Sequence, residues 1–201
     1  ANTVIDNQGQ TCSALSRLLV PKHRLDDTKK ILEAHYATLK VGDPANRDNR
    51  VGPMVSQEQY ETVLEYIKIG QDEGAELFIG GKALDGTGLF IEPTVFINVD
   101  NQMQIAQEEI FGPVLVVITY ETVEEAIELA NDIKYGLNGA VVGPDEQARK
   151  VARQIQAGNV YVNGGNRTSK APFGGYKQSG IGRENGIYAI EDYVELKSIF
   201  L

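Results

Sequence analysis

Asn7-Gln8-Gly9-Gln10-Thr11-Cys12 holds the only cysteine in the chain. A thiolate attacks carbonyl carbon readily, so covalent chemistry is sought here first. Gly9 permits a tight turn, and Ala14, Leu15, Leu18 and Leu19 follow at helical spacing. The stretch therefore predicts a turn feeding a helix. The free N–H groups and dipole of that helix would favour the thiolate and hold an oxyanion. A buried structural cysteine is the competing reading of a lone thiol. The local residues leave the two evenly matched.

Other residues have chemistry to offer. Glu108-Glu109 reads locally as a solvated acidic pair. Gln59 stands three places after Ser56, the spacing of a helix capping box. Around Phe173, Gly164 and Gly165 leave room, while Asn166, Arg167, Ser169 and Lys170 give a polar rim that could attract an anion. His23 and His35, the only histidines, sit in no recognisable motif and read as surface residues. No cysteine–histidine spacing suits zinc, so no metal is expected. Gly180-Ile181-Gly182-Arg183-Glu184-Asn185 begins like a dinucleotide fingerprint. It ends in Asn and follows a loop rather than a strand, which makes it a turn before a final helix.

Several of these segments, taken in order, resemble the aldehyde dehydrogenase superfamily. The resemblance is carried by Asn7 to Cys12, Gly52-Pro53-Met54, Glu108-Glu109-Ile110-Phe111-Gly112-Pro113, Asn159-Val160-Tyr161-Val162-Asn163 and Pro172-Phe173-Gly174-Gly175-Tyr176-Lys177-Gln178-Ser179-Gly180. It implies the family's catalytic-domain fold over residues 1–201. It implies Cys12 as a nucleophile that forms a thiohemiacetal and then a thioester while NAD or NADP is reduced. Glu109, Phe111 and Gln59 would face the cofactor; for Gln59, capping is the stronger local explanation. Phe173, Gly164 and Gly165 would line the substrate entrance. The family's upstream dinucleotide-binding domain, its deacylating glutamate and its oxyanion-hole asparagine find no counterpart here. The expectation is thus a domain of an aldehyde-oxidising homo-oligomer, inactive alone. A free-standing thiol hydrolase and a non-catalytic assembly domain are the alternatives.

The elements that would position these groups alternate. Asp26 caps a helix running to about Lys40, and Ser56 opens one ending at Gly74, with Tyr60, Val63, Leu64 and Ile67 as its stripe. Leu77 to Ile79 and Phe90 to Val99 read as strands, with a turn over residues 86–88. Val114 to Ile118 is a continuous apolar run that suits a strand covered on both faces. Thr122 and Asp145 cap two further helices, and Asn138 to Gly143 and Val160 to Val162 are strands. The fold class is α/β, a mostly parallel sheet flanked by helices with right-handed crossovers. Tyr193 to Leu201 alternates weakly and could pair as a strand outside its own domain.

The 201 residues suffice for one substantial core, and the net charge of -9 disfavours nucleic acid. No apolar run is long enough to span a bilayer, and a single cysteine forms no internal disulfide. The single cysteine suits a reducing compartment such as the cytoplasm.

Overall fold

The structure, a computed structural model, describes residues 2–86 and 88–201. The turn expected over residues 86–88 falls partly outside them, at Thr87. The chain divides into two compact units, Ala1–Asp132 and Ile133–Leu201.

The first unit opens with two short 3-10 helices, Asn2–Val4 and Asp6–Gly9. Then come β1 (Arg17–Pro21), α1 (Leu25–Tyr36), α2 (Gln57–Asp72), β2 (Glu76–Ile79), β3 (Thr94–Ile97), α3 (Gln104–Gln107), β4 (Val114–Tyr120) and α4 (Val123–Asn131). The sheet order is β1-β4-β3-β2. β4 pairs in parallel with β1 and β3, and β2 is the antiparallel edge. The run Val114 to Ile118 is buried throughout because it is central and covered on both faces. Val114, Val116 and Ile118 pack with Val63 and Ile67 of α2 and Ile105 of α3. Leu115 and Val117 face the opposite way, toward Leu32 and Tyr36 of α1. Pro93 lies just before β3, where its missing N–H costs no ladder bond.

The second unit contains β5 (Tyr135–Gly136), β6 (Asn138–Val141), α5 (Asp145–Ala152), β7 (Asn159–Val162) and β8 (Tyr176–Lys177). β6 and β7 pair in parallel, and β5 and β8 antiparallel. A 3-10 helix, Tyr188–Tyr193, precedes the tail.

The α/β class stands, and four local expectations need correction. No helix follows Cys12: Ala14 N–H closes a turn on Thr11 O at 3.0 Å, and Leu18 and Leu19 enter β1 instead. Their apolar spacing serves a strand because β4 supplies ladder partners from Arg17 to Pro21. β4 and β6 belong to separate sheets rather than one. Neither Asp26 nor Asp145 caps its helix; each lies in the first turn, after Arg24 and Pro144 at the cap positions. The Asp145 carboxylate is taken by the Asn163 amide at 2.7 Å. His35 is not a plain surface histidine, because its Nε2 is buried without a hydrogen-bond partner among the described residues.

Candidate active site

The cysteine loop is built from left-handed backbone. Asn7, Gln8 and Gly9 have φ of 52°, 56° and 71° in succession. Only glycine adopts this region freely, and each other residue there costs about 1 kcal/mol or more. The neighbours hold it. Asn7 Nδ2 donates to Gln10 O at 2.8 Å, and Gln10 N–H donates to Asn7 O at 3.0 Å. Val55 N–H donates to Gln10 Oε1 at 2.9 Å. Gln8, with its amide oxygen turned toward Gly52, accepts from that N–H at 2.8 Å. An Arg50–Asp6 ion pair closes the same side. Two of the motifs picked out in the sequence, Asn7 to Cys12 and Gly52 to Met54, are thus joined by Gln8, and Gln10 ties down Val55 just beyond the second. Cys12 sits in the following turn and is exposed. Neither its thiol nor its N–H enters a hydrogen bond among the described residues.

The glutamate loop leaves the end of α3. The two glutamates divide their roles. Glu108 accepts from Tyr66 Oη at 2.7 Å and Gln104 Nε2 at 2.9 Å, so it is a structural partner of α2 and not a solvated charge. Glu109 is exposed and has no partner among the described residues. Phe111 has φ of 55° and remains 37% exposed. Gln59 explains how that backbone is held. Its side-chain amide donates to Ile110 O at 2.9 Å and to Phe111 O at 3.0 Å. Its backbone N–H separately donates to Ser56 Oγ at 3.2 Å. Capping therefore occupies the main chain of Gln59 and leaves the side chain to the loop. The helix cap expected from the sequence is present, and it leaves the Gln59 side chain free to hold the loop.

The two loops meet at glycines. A Cβ built on Gly9 would stand 2.0 Å from Gly112 O, and one on Gly112 would stand 2.5 Å from Val63 Cγ2. The cysteine loop thus rests on the loop that carries Glu109 and Phe111, and that loop rests on α2. Cys12, Glu109, Phe111 and Gln59 all belong to this one assembly in the first unit.

Phe173, Gly164 and Gly165 belong to the second unit. Phe173 is bridged to Glu184 through both backbone groups, at 2.6 and 2.7 Å. The failed fingerprint therefore has a use: Glu184 braces Phe173, and Arg183 donates to Gly175 O at 3.0 Å. The Arg167 guanidinium lies over the Phe173 ring, 4.0 Å from its centroid. Gly164 has φ of 77° and open space where a side chain would project.

Sequence reasoning missed Gln8, Gln10 and Tyr66. The first two carried only a weak signal, as long amides flanking a glycine in a loop. Tyr66 carried none, because its partner Glu108 lies in another element.

In an α/β chain, the loop leading to an exposed cysteine thus rests on the loop that carries an exposed glutamate and a partly exposed phenylalanine, which defines a class of thiol-bearing α/β domains. Comparison narrows the class: the aldehyde dehydrogenase family model matches residues 1–199, and the chain belongs to that family. A Staphylococcus haemolyticus protein whose aldehyde dehydrogenase name is itself provisional is 52% identical over 200 residues, covering 98% of this chain and 42% of that protein. The structure of a Mycobacterium tuberculosis aldehyde dehydrogenase complexed with NAD+ is 43% identical, with a TM-score of 0.96, covering 100% of this chain and 42% of that one. A Pseudomonas syringae aldehyde dehydrogenase C, a cysteine-to-alanine variant complexed with NAD+ and octanal, is 44% identical with a TM-score of 0.92, covering 96% and 41%. The chain spans about two-fifths of the length of these relatives.

Proposed function

We propose that this chain is the catalytic domain of an NAD- or NADP-dependent aldehyde dehydrogenase that oxidises an aldehyde to a carboxylic acid. One observation carries the reading: the cysteine loop and the glutamate loop abut at Gly9 and Gly112, with Cys12 and Glu109 both exposed.

The chemistry follows from the residues. The Cys12 thiolate adds to the aldehyde carbon, and the carbonyl oxygen becomes an alkoxide. The Cys12 N–H, engaged by no described hydrogen bond, is a donor available to that oxygen. The tetrahedral adduct has no leaving group but hydride, and its loss leaves a thioester on sulfur. Water then releases the acid and restores the thiol. Sulfur suits both halves, as a nucleophile first and a leaving group later.

The residues present fit a dinucleotide. Glu109 offers an unengaged carboxylate suited to accept from two ribose hydroxyls. Phe111 offers an aromatic edge held in place by Gln59, and Gln59 faces the same region. When bound, the nicotinamide supplies the hydride acceptor. Phe173, Gly164 and Gly165 are the proposed lining of the substrate entrance. The remaining cofactor contacts and the group that activates water lie outside these 201 residues, so the isolated chain turns over negligibly. The parent works as a homo-oligomer in the cytoplasm. The exposed apolar tail supports the first point.

The test is nicotinamide reduction with a panel of aldehydes, by the chain alone and joined to the rest of its polypeptide. Activity is expected only in the joined form and is expected to vanish in Cys12→Ala. Hydrolysis of a chromogenic ester without nucleotide, lost in Cys12→Ala, would instead make the domain a hydrolase.

A further inference from the structure

We propose that Tyr66 is a positioning residue for the cofactor: through Glu108 it fixes the loop from which Glu109 meets the ribose. This rests on the proposed function above, in which Glu109 accepts from the ribose hydroxyls. All the residues concerned lie in the first unit.

The support is the way one face of α2 grips the glutamate loop. Gln59, Val63, Tyr66 and Gly70 recur at helical spacing and share that face, and Glu73 follows at the C-cap. Each meets a residue between Gln104 and Gly112. The Glu73 carboxylate accepts from the Gln104 N–H, at 3.0 Å on one oxygen and 2.9 Å on the other. A Cβ built on Gly70 would stand 2.9 Å from Ile105 Cδ1. Tyr66 Oη donates to Glu108 Oε2 at 2.7 Å. Gln59 takes Ile110 O and Phe111 O, and Val63 lies against Gly112. Glu109 thus stands between two held neighbours, while its own carboxylate is exposed and has no partner among the described residues.

The two holds differ in kind. Gln59 grips main-chain oxygens on the far side of Glu109. Tyr66 grips a carboxylate on the near side, and hydrogen bonds to an ionised group are the stronger kind. Gln104 donates to the same Glu108 oxygen at 2.9 Å, but it belongs to α3 and moves with the loop. Tyr66 instead ties Glu108 to another element. Two carboxylates are adjacent in the chain, and the tyrosine holds one of them in a half-buried place. The other is left alone to face the cofactor. A glutamate set loose on that side would no longer meet two hydroxyls at once.

The experiment uses the full polypeptide and reads NAD affinity directly, by titration calorimetry, beside the kinetics. Glu109→Gln should raise the Kd for NAD about tenfold, and Tyr66→Phe about fivefold. The KM for NAD should rise in step, with kcat changed less. In the double variant, Tyr66→Phe should add almost nothing to the effect of Glu109→Gln, because the residue it positions is gone. Glu108→Gln keeps an oxygen for the tyrosine and should bind NAD more tightly than Glu108→Ala. A purely structural hydroxyl would lower the melting temperature and leave the Kd for NAD alone, or would add its full effect in the double variant; either result overturns the inference. An effect of Tyr66→Phe on the Kd with none of Glu109→Gln overturns it too, since Glu109 then holds nothing. In each of these cases, NAD reduction that is lost in Cys12→Ala leaves the aldehyde dehydrogenase reading standing. Neither NAD binding nor turnover by the full polypeptide overturns that reading and this inference together.

Discussion

At the scale of single residues, Gln59 is the side chain on which most of the proposed cofactor wall depends. Gln59→Glu keeps the length, loses both donors and sets a negative charge against two carbonyl oxygens. Such a loss costs about 1–3 kcal/mol locally. In the full enzyme the KM for NAD should rise several-fold, with less effect on kcat. An unchanged KM would remove Gln59 from the wall. Tyr36 gives a second prediction. Its hydroxyl is buried without a hydrogen-bond partner among the described residues, and burial raises its pKa far above the usual tyrosine value. The native state therefore resists ionisation that the unfolded chain accepts. Stability should be intact below pH of about 10 and should erode as pH climbs above it. Tyr36→Phe should lessen that alkaline decline, leaving the part due to Tyr120, whose pKa burial also raises, and change the stability at neutral pH by no more than about 1 kcal/mol, toward greater stability. Thermal melts from pH 7 to 11 check both.

At the scale of elements, the loops matter more than the helices. Gly9→Ala combines a left-handed backbone with a Cβ that would fall 2.0 Å from Gly112 O. The expected cost is about 3 kcal/mol or more, with loss of activity, read by denaturant unfolding. Gly74 has an open left-handed position at the end of α2, so Gly74→Ala should cost only about 1 kcal/mol. This is also the scale at which the sequence was most and least informative. α2 was legible because Tyr60, Val63, Leu64 and Ile67 repeat at helical spacing between a serine cap and a glycine stop. β4 was legible because five consecutive apolar residues have few other uses. The residues after Cys12 were misread because their apolar spacing fits a short helix equally well, and the deciding partner, β4, lies far along the chain. Asp145 was misread as a cap because its competitor, Asn163, belongs to another element. The motif residues themselves were legible. Their scaffolding by Gln8, Gln10 and the side chain of Gln59 was not, since a tertiary hydrogen bond leaves no period in a sequence.

At the scale of the whole molecule, two features govern behaviour in solution. Arg17 is the hub of a polar cluster in the first unit. It donates to Asn101 Oδ1 and to Leu129 O at the end of α4, and Asn101, 4% exposed, donates to Asp132 O at 3.0 Å. Burial lowers the Arg17 pKa while Asp132 raises it. Arg17→Met leaves several acceptors unpaired, and an expected loss of about 3 kcal/mol should appear in the melting temperature. The tail is the second feature. Val194, Leu196, Ile199, Phe200 and Leu201 are all exposed, a quantity of apolar surface that a free monomer seldom shows. The chain alone should self-associate on size exclusion, and removal of residues 194–201 should shift it toward monomer. Finally, the abutment of Gly9 on Gly112 means that the Cys12 motif cannot travel as a cassette. A short synthetic peptide spanning Asn7 to Cys12, or the same six residues grafted onto a foreign scaffold, would relax to right-handed coil. The setting of Cys12 would be lost even though every letter of its motif was kept.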